Sequence, residues 1–410
     1  MLREIDKAAL LNAIKVQDLS NHDCQALVYG PEQLADAALG VVRDGFASLD
    51  LRKIEIKGNL ALCVDTTPHL VVLWCLNQIV RRAINIQSSD RDTIIRRLST
   101  ILGEGVPHRL YKFDIKKFFD SIDVLELFGR LSNEARIPRS AILVLENFLY
   151  ELVSRNIAGL PRGIQLSATL SEYAMNRFDR LVSRLPEVYF YARYVDDIVI
   201  VTGTRENKLE FERRVRKALP MGLRFNGTKT KYINIPVQVR SDGVPVVGDF
   251  DYLGYNFSVH ETKRVENRFC RVVDVTIAPK KIRRIKSRIC RALASFVIDG
   301  NKPRLERRLQ FLTGNYNLRD LSSGRLRNVG LYCNYRRANS VAALVELDSF
   351  LRSVVIGNRT SLARRLATKM PYDARRDLIR FSFANNFNRR TFYNFKPSEL
   401  ADITLCWRDA

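Results

Sequence analysis

A chain of 410 residues that is 46% apolar and 27% charged can bury a sizeable core, and its composition is that of a globular protein and excludes a disordered one. Lys and Arg number 67 against 44 Asp and Glu, a formal charge of +23. So large an excess favours a polyanionic partner, because each phosphate neutralised releases condensed counterions.

Residues 1 to about 105 read as mostly helical. The alternation of Lys53-Ile54-Glu55-Ile56-Lys57 predicts a short strand before a turn at Gly58. Helical patterns run from Leu70 to Ile84 and from Asp90 to Leu102, punctuated by Arg81, Arg82, Arg91, Arg96 and Arg97. From Arg109 to about Val259, strand-like and helix-like segments alternate, an α+β pattern. Leu110–Ile115 reads as a strand. Ser167–Leu185 reads as a helix with Leu170, Ala174, Phe178, Leu181 and Leu185 on one face. Val188–Val201 has the aromatic and β-branched content of a hairpin, Asn207–Leu219 is a helix, and short strands are expected to end near Val259.

Beyond about residue 260 the pattern turns helical and basic. Pro279 opens and Asp299-Gly300 closes the clearest helix, with an apolar stripe of Ile282, Ile285, Ile289, Leu293 and Phe296. Its other face carries Lys280, Lys281, Arg283, Arg284, Lys286, Arg288 and Arg291. A solvated face accounts for most charge runs. Charges of one sign repel along a helix unless an anion lies against them, which favours a helix that tracks a nucleic-acid backbone. A helix at Ser340–Val355 suits either closure of that region or assembly.

The seven cysteines show no CxxC and no Cys/His cluster, and most lie in apolar stretches, as buried free thiols of a reducing compartment do. The four histidines are equally scattered, so a zinc site is not expected. The start Met1-Leu2-Arg3-Glu4-Ile5-Asp6 shows no signal pattern, and the apolar stretch around Leu70–Cys75 is too short to span a bilayer. A cytoplasmic protein without membrane association is the expectation.

Two runs carry the chemistry. In Tyr111-Lys112-Phe113-Asp114-Ile115 a carboxylate ends an apolar strand, where burial without a cation is expensive. In Arg193-Tyr194-Val195-Asp196-Asp197-Ile198 two adjacent acids stand at a hairpin tip and repel each other. Turn preference accounts for one Asp but poorly for two. Phosphoryl transfer with two metal ions needs carboxylates gathered from different strands, and Mg²⁺ is the usual hard partner of such oxygens.

Tyr194-Val195-Asp196-Asp197 resembles the YxDD box of reverse transcriptases, and the run from Phe113 to Ile122 is similar to that family's first catalytic strand. Gly159–Ser167 resembles its loop and helix beneath the incoming nucleotide, Leu223–Thr230 its next motif, and Tyr252-Leu253-Gly254-Tyr255 its primer-grip turn. The order of five motifs makes the resemblance specific where YxDD alone is weak. Leu160-Pro161-Arg162-Gly163, Leu166–Glu172, Asp90–Ile95 and Phe311–Tyr316 are similar to the defence-associated and abortive-infection enzymes of bacterial anti-phage systems.

The resemblance implies an α+β right-hand polymerase: fingers at 1–105, a palm with an antiparallel sheet at 106–258, and a basic helical thumb at 259–410. It implies Asp114, Asp196 and Asp197 as catalytic and metal ligands, completed by the Ile115 carbonyl, with two Mg²⁺ ions as cofactor and Mn²⁺ as an alternative. Phe119 matches the steric gate that excludes a ribose 2′-hydroxyl. Arg162, Gly163, Arg91 and Lys229 are nucleotide-binding candidates, though a surface Arg91 and an exposed Lys229 fit the same pattern, and Arg162 stands where Gln is common. Tyr194, Val195, Leu253 and Gly254 are candidate primer or template contacts. The implied partners are a structured non-coding RNA, a DNA product, dNTPs and a second copy or second subunit. No acidic cluster after residue 260 suits an RNase H site, and no Cys/His endonuclease signature is present. Synthesis without a template or from a protein primer, and a non-enzymatic RNA-binding scaffold, are the alternatives.

Overall fold

The computed structural model describes residues 5–16, 30–46, 48–56, 59–85, 90–237, 245–265, 268–319 and 326–407. They group into two compact units, one within 1–94 and 107–234, the other within 95–106, 235–320 and 325–410. His22, Cys24 and the turn expected at Gly58 lie outside the described residues.

The first unit begins with helices α1 (Lys7–Val16) and α2 (Pro31–Asp44), the hairpin β1 (Leu51–Ile56) and β2 (Asn59–Val64), and helix α3 (Thr67–Ile84). Pro68 sets φ in the first turn of α3, and the helix ends on Asn85 in the left-handed region at φ 42°. Val71, Val72, Leu76 and Val80 are fully buried, so α3 is the central helix of this part. Next in the chain is helix α4 (Arg91–Leu102), most of which (from Ile95) belongs to the second unit; the Asp90 carboxylate caps it by accepting from the amides of Asp92 (2.9 Å) and Thr93 (3.1 Å).

Next come β3 (His108–Asp114), α5 (Val124–Ser132), α6 (Arg139–Ser154), α7 (Gln165–Ser183), β4 (Val188–Tyr194), β5 (Asp197–Thr202), α8 (Lys208–Lys217) and β6 (Lys231–Ile235). The four strands form one sheet in the order β4-β5-β3-β6. Ile198 to Val201 are fully buried, which explains an unbroken apolar run in place of alternation. On α7 the inward face is Leu170, Ala174, Phe178 and Val182; Leu181, expected there, is half exposed. A spacing of four keeps Val182, not Leu181, in line with Phe178. Asn207 is the cap of α8, not its first residue, and accepts from the amides of Leu209 and Glu210.

In the second unit, β7 (Val246–Tyr252), β8 (Tyr255–Val265) and β9 (Arg268–Ile277) form an antiparallel sheet. Strand structure thus continues well past Val259, and position 258 lies inside β8. Arg271 hid this from the pattern: it is buried mid-strand, where Nε donates to Thr262 Oγ1 (3.0 Å) and Nη2 to the Pro236 carbonyl (2.8 Å). The remainder is α9 (Pro279–Asp299), α10 (Lys302–Thr313), the hairpin β10 (Asn315–Arg319) and β11 (Leu326–Gly330), then α11 (Leu331–Tyr335), α12 (Ala342–Val355), α13 (Ser361–Lys369), α14 (Tyr372–Leu378), α15 (Phe383–Asn388) and α16 (Pro397–Leu405). The β10–β11 hairpin interrupts a stretch read as helical.

Helix α9 ends on Gly300 at φ 65°, and its stripe of Ile282, Ile289, Leu293 and Phe296 lies in the core of this unit. Lys280, Arg283 and Arg284 are exposed. Lys286 pairs with Glu346, and the Arg288 guanidinium lies 5.4 Å from the Trp407 ring centroid. Those two cations serve the fold, so the surface left for a polyanion is smaller than the sequence implied. The six described cysteines are free, but only Cys75 is fully buried, its thiol pushed up to about 12 by burial. Among the described residues no helix is long and apolar enough to cross a membrane.

Candidate active site

Strands β3 and β5 pair antiparallel in a register that sets Asp114 opposite Asp197, with Phe113 opposite Ile198 and Tyr111 opposite Ile200. Tyr194 of β4 faces Asp197 on the other side. The Ile115 amide carries the ladder one step further by donating to the Asp196 carbonyl (3.1 Å). Two acids far apart in sequence therefore meet at one end of a buried sheet.

The two-residue loop of the hairpin is Val195-Asp196, so the tip lies one residue before the expected Asp196-Asp197, and Asp197 is already paired strand. Val195 stands at φ 60°, a left-handed conformation rarely adopted by a β-branched residue and costing about 1–3 kcal/mol.

The segment after β5 closes the site from the opposite side. The Asn226 amide donates to the Asp114 carbonyl (2.7 Å), and the Lys116 amide to the Arg224 carbonyl (2.9 Å). Asn226 Oδ1 accepts from Thr228 Oγ1 (2.8 Å), forming a tight turn that presents Lys229. Lys229 Nζ sits 2.8 Å from Asp114 Oδ1, and Asn226 Nδ2 is 3.4 Å from Oδ2. Asp114 is only 7% exposed, so Lys229 supplies the positive charge that the buried carboxylate requires.

A cleft of about 500 Å³ opens here, lined by Asp114, Ile115, Lys116, Lys117, Phe118, Phe119, Arg162, Val195, Asp196, Asn226 and Lys229. That volume suits a nucleotide-sized ligand. Burial holds the Asp196 carboxyl above the usual carboxylate range, reinforced by Asp114 and opposed by Lys229 and Arg162. Burial also raises Asp197, opposed by Lys112 and reinforced by Asp196 and Asp114. Carboxylates under such pressure gain from a bound cation, and an all-oxygen donor set suits a hard divalent ion. Among the described residues no three His, Cys, Asp or Glu side chains are already gathered as a metal cage.

The loop before α7 forms another wall and depends on two glycines. Gly159 has φ 64°, and a Cβ there would lie 2.2 Å from the Phe119 carbonyl oxygen, which accepts from the Leu160 amide at 2.9 Å. Gly163 has φ 98°, and its Cβ would lie 2.4 Å from the Leu62 carbonyl oxygen. Arg162 between them reaches Asp120 (3.4 Å). Gly159→Ala is therefore expected to cost at least about 2 kcal/mol, read as a lower urea midpoint with an unchanged slope.

The Lys229 pair gives a pH test. Its hydrogen bond to Asp114 raises the ammonium pKa above 10.5, so the stabilisation is complete below 10.5 and fades as pH rises through the folded value. Lys229→Met is expected to melt below wild type near neutral pH, with the gap narrowing in the alkaline range.

Of the expected site residues, Asp114, Asp196, Asp197, Ile115, Phe119, Arg162, Val195 and Lys229 come together, and Gly163 shapes the loop. Tyr194 is 39% exposed at the end of β4. Arg91 starts α4 and is not among the cleft-lining residues. Leu253 and Gly254, at φ 47° and 82°, form a tight turn in the second unit. The sequence reading did not single out Asn226, Lys116, Lys117 or Arg193. For Arg193 a signal existed: a cation amid the aromatic residues of β4 has to find an acid.

Fold and site define a two-unit α+β protein whose cleft, lined by carboxylates and cations, suits phosphoryl transfer. Residues 77–257 match the family described as reverse transcriptase (RNA-dependent DNA polymerase). That stretch is similar to a reverse-transcriptase domain, and the match supports RNA-directed DNA polymerase activity in general terms. Reverse transcriptases generally use divalent metal ions. No curated protein matches the chain. A solved structure similar to it is that of apo telomerase from Candida tropicalis truncated from the C-terminal domain, at 13% identity and a TM-score of 0.38. That match covers 56% of this chain and 55% of the other, so it spans about half the length of either.

Proposed function

We propose that the protein is a reverse transcriptase that extends a primer 3′-hydroxyl with dNTPs on an RNA template, releasing pyrophosphate. The observation that carries this reading is the register that puts Asp114 opposite Asp197 beside the Asp196 turn, in a cleft also lined by Arg162 and Lys229. Bound at Asp114, Asp196, Asp197 and the Ile115 carbonyl, divalent ions (Mg²⁺, or Mn²⁺ in its place) supply charge for the attacking hydroxyl and the leaving pyrophosphate. Arg162 and Lys229 offset triphosphate charge, Phe119 walls the sugar, and Tyr194 and Val195 border the primer end. Arg91 is assigned to the triphosphate, and Leu253-Gly254 to the primer. The reading takes the N-terminal region as fingers, the sheet-bearing region as palm and the basic C-terminal region as thumb, with exposed Lys280, Arg283 and Arg284 on α9 set against a phosphate backbone.

The runs Leu160–Gly163, Leu166–Glu172 and Phe311–Tyr316 support a place among bacterial anti-phage enzymes. In that setting the protein acts in the cytoplasm on a structured non-coding RNA, within an assembly of its own copies or with a second subunit. The test is to purify the full chain from its host, sequence the bound nucleic acid, and supply Mg²⁺ with labelled dNTPs. Incorporation complementary to one bound RNA, and lost in Asp196→Ala/Asp197→Ala, is expected. A product that matches no RNA would replace this reading with untemplated or protein-primed synthesis. Bound RNA without incorporation would replace it with a scaffold.

A further inference from the structure

The Arg193 side chain is 5% exposed, yet every one of its N–H donors is used. Nε and Nη2 donate to the two oxygens of Asp179 (2.9 and 2.7 Å), and Nη1 and Nη2 to the two oxygens of Glu172 (3.1 and 2.7 Å). The remaining Nη1 proton goes to the Val195 carbonyl (3.0 Å). Both acids lie on α7, and Tyr191 Oη donates to Asp179 Oδ1 (2.5 Å), the oxygen that also accepts from Nε. A fork held bidentate by two carboxylates has no freedom left, so the contact to Val195 has a fixed direction.

That contact falls on the residue whose backbone is strained, immediately before Asp196. The Asp196 carbonyl is in turn held by the Ile115 amide. The backbone leading into Asp196 is thus tied on one side to α7 through Arg193 and on the other to β3. Helix α7 begins directly after the loop that carries Arg162, so one helix bears on both the carboxylate turn and the cationic wall.

We propose that Arg193 is a positioning residue of this site: anchored on Glu172 and Asp179, it imposes the left-handed Val195 turn that aims Asp196 into the cleft. The inference rests on the polymerase reading for its catalytic consequence and on geometry alone for its structural one. The experiment uses the full chain with Arg193→Lys, which keeps the charge and loses the fork, and Arg193→Lys/Val195→Gly, in which glycine adopts the positive φ unaided.

In Arg193→Lys, hydrogen exchange of peptides spanning 193–198 is expected to quicken at least about tenfold while the rest of α7 stays within about threefold. On oligo(dT)·poly(rA), kcat for dTTP is expected to fall at least about 30-fold with KM within about threefold, the pattern of a lost transition-state position. Glycine at 195 in that background is expected to restore protection and about tenfold of kcat. Unchanged exchange, equal acceleration throughout α7, or no recovery with glycine would each overturn the proposal, the last two by reducing Arg193 to a strut between α7 and β4. If Arg193→Lys does not fold, Glu172→Gln, which leaves the Asp179 pair intact, is read in the same way. A wild type that incorporates no dTTP on this primer-template counts against the polymerase reading, and exchange alone then decides the role of Arg193.

Discussion

Asp196→Asn is expected to lower dNTP incorporation by roughly 10³-fold or more and, at the same time, to raise the melting temperature. The two effects have one cause. Asp196 is held partly out of water beside Asp114, so its carboxyl has a folded pKa above the ordinary 3.8. A group raised on folding contributes stability below its unfolded pKa and loses it as pH climbs through the folded value. Near neutral pH the ionised side chain therefore opposes folding, and a neutral isostere removes that opposition. Solvent screening keeps the gain small, so it is read as a rise in melting temperature relative to wild type near neutral pH. The gain should shrink as pH falls through the folded value and vanish below 3.8, where Asp196 is protonated in both states. Thermal melts across that range, run beside primer extension, check both halves. A variant that loses activity with no gain near neutral pH would mean that the cleft cations fully compensate this carboxylate.

Phe119→Ala is expected to cut discrimination between dNTPs and rNTPs by roughly 10²-fold, the scale on which a steric fit tells one hydroxyl from none. Phe119 lines the cleft, and its ring is braced edge-on by buried Phe118 at 5.3 Å. The Leu160 amide on its carbonyl holds the backbone, so the ring has a firm seat. Removing the ring opens the wall without disturbing Asp114, Asp196 or Lys229. The comparison is the ratio of kcat/KM for dTTP and UTP on one primer-template. A variant that loses both substrates equally would show Phe119 to be a packing residue and not a gate.

Much of the candidate cleft was legible as residue types and order, because several of its residues conflict with their local surroundings. A carboxylate ending an apolar strand, a pair of acids in a hairpin and glycines in a loop before a helix each break a local rule, and a broken rule shows up in the sequence. The helices were legible for a similar reason. Pro279, Gly300 and an apolar period marked α9 nearly to the residue, since caps and periodicity are local properties.

The sequence by itself determined that Asp114 ends an apolar strand, that Asp196 and Asp197 stand together in a hairpin, that the chain is α+β, and that a basic helix opens at Pro279. Only the tertiary structure decided which of them meet. The register of β3 on β5 set Asp114 against Asp197, and pairing registers depend on neighbours that periodicity does not name. The turn at Asn226 delivered Lys229 to Asp114, and α7 delivered Glu172 and Asp179 to Arg193. Strand β9 stayed hidden because buried Arg271 looks like a surface cation until Thr262 and the Pro236 carbonyl are seen to receive it. Patterns report what a residue prefers on average; a buried charge takes its meaning from the partner that long-range folding brings to it.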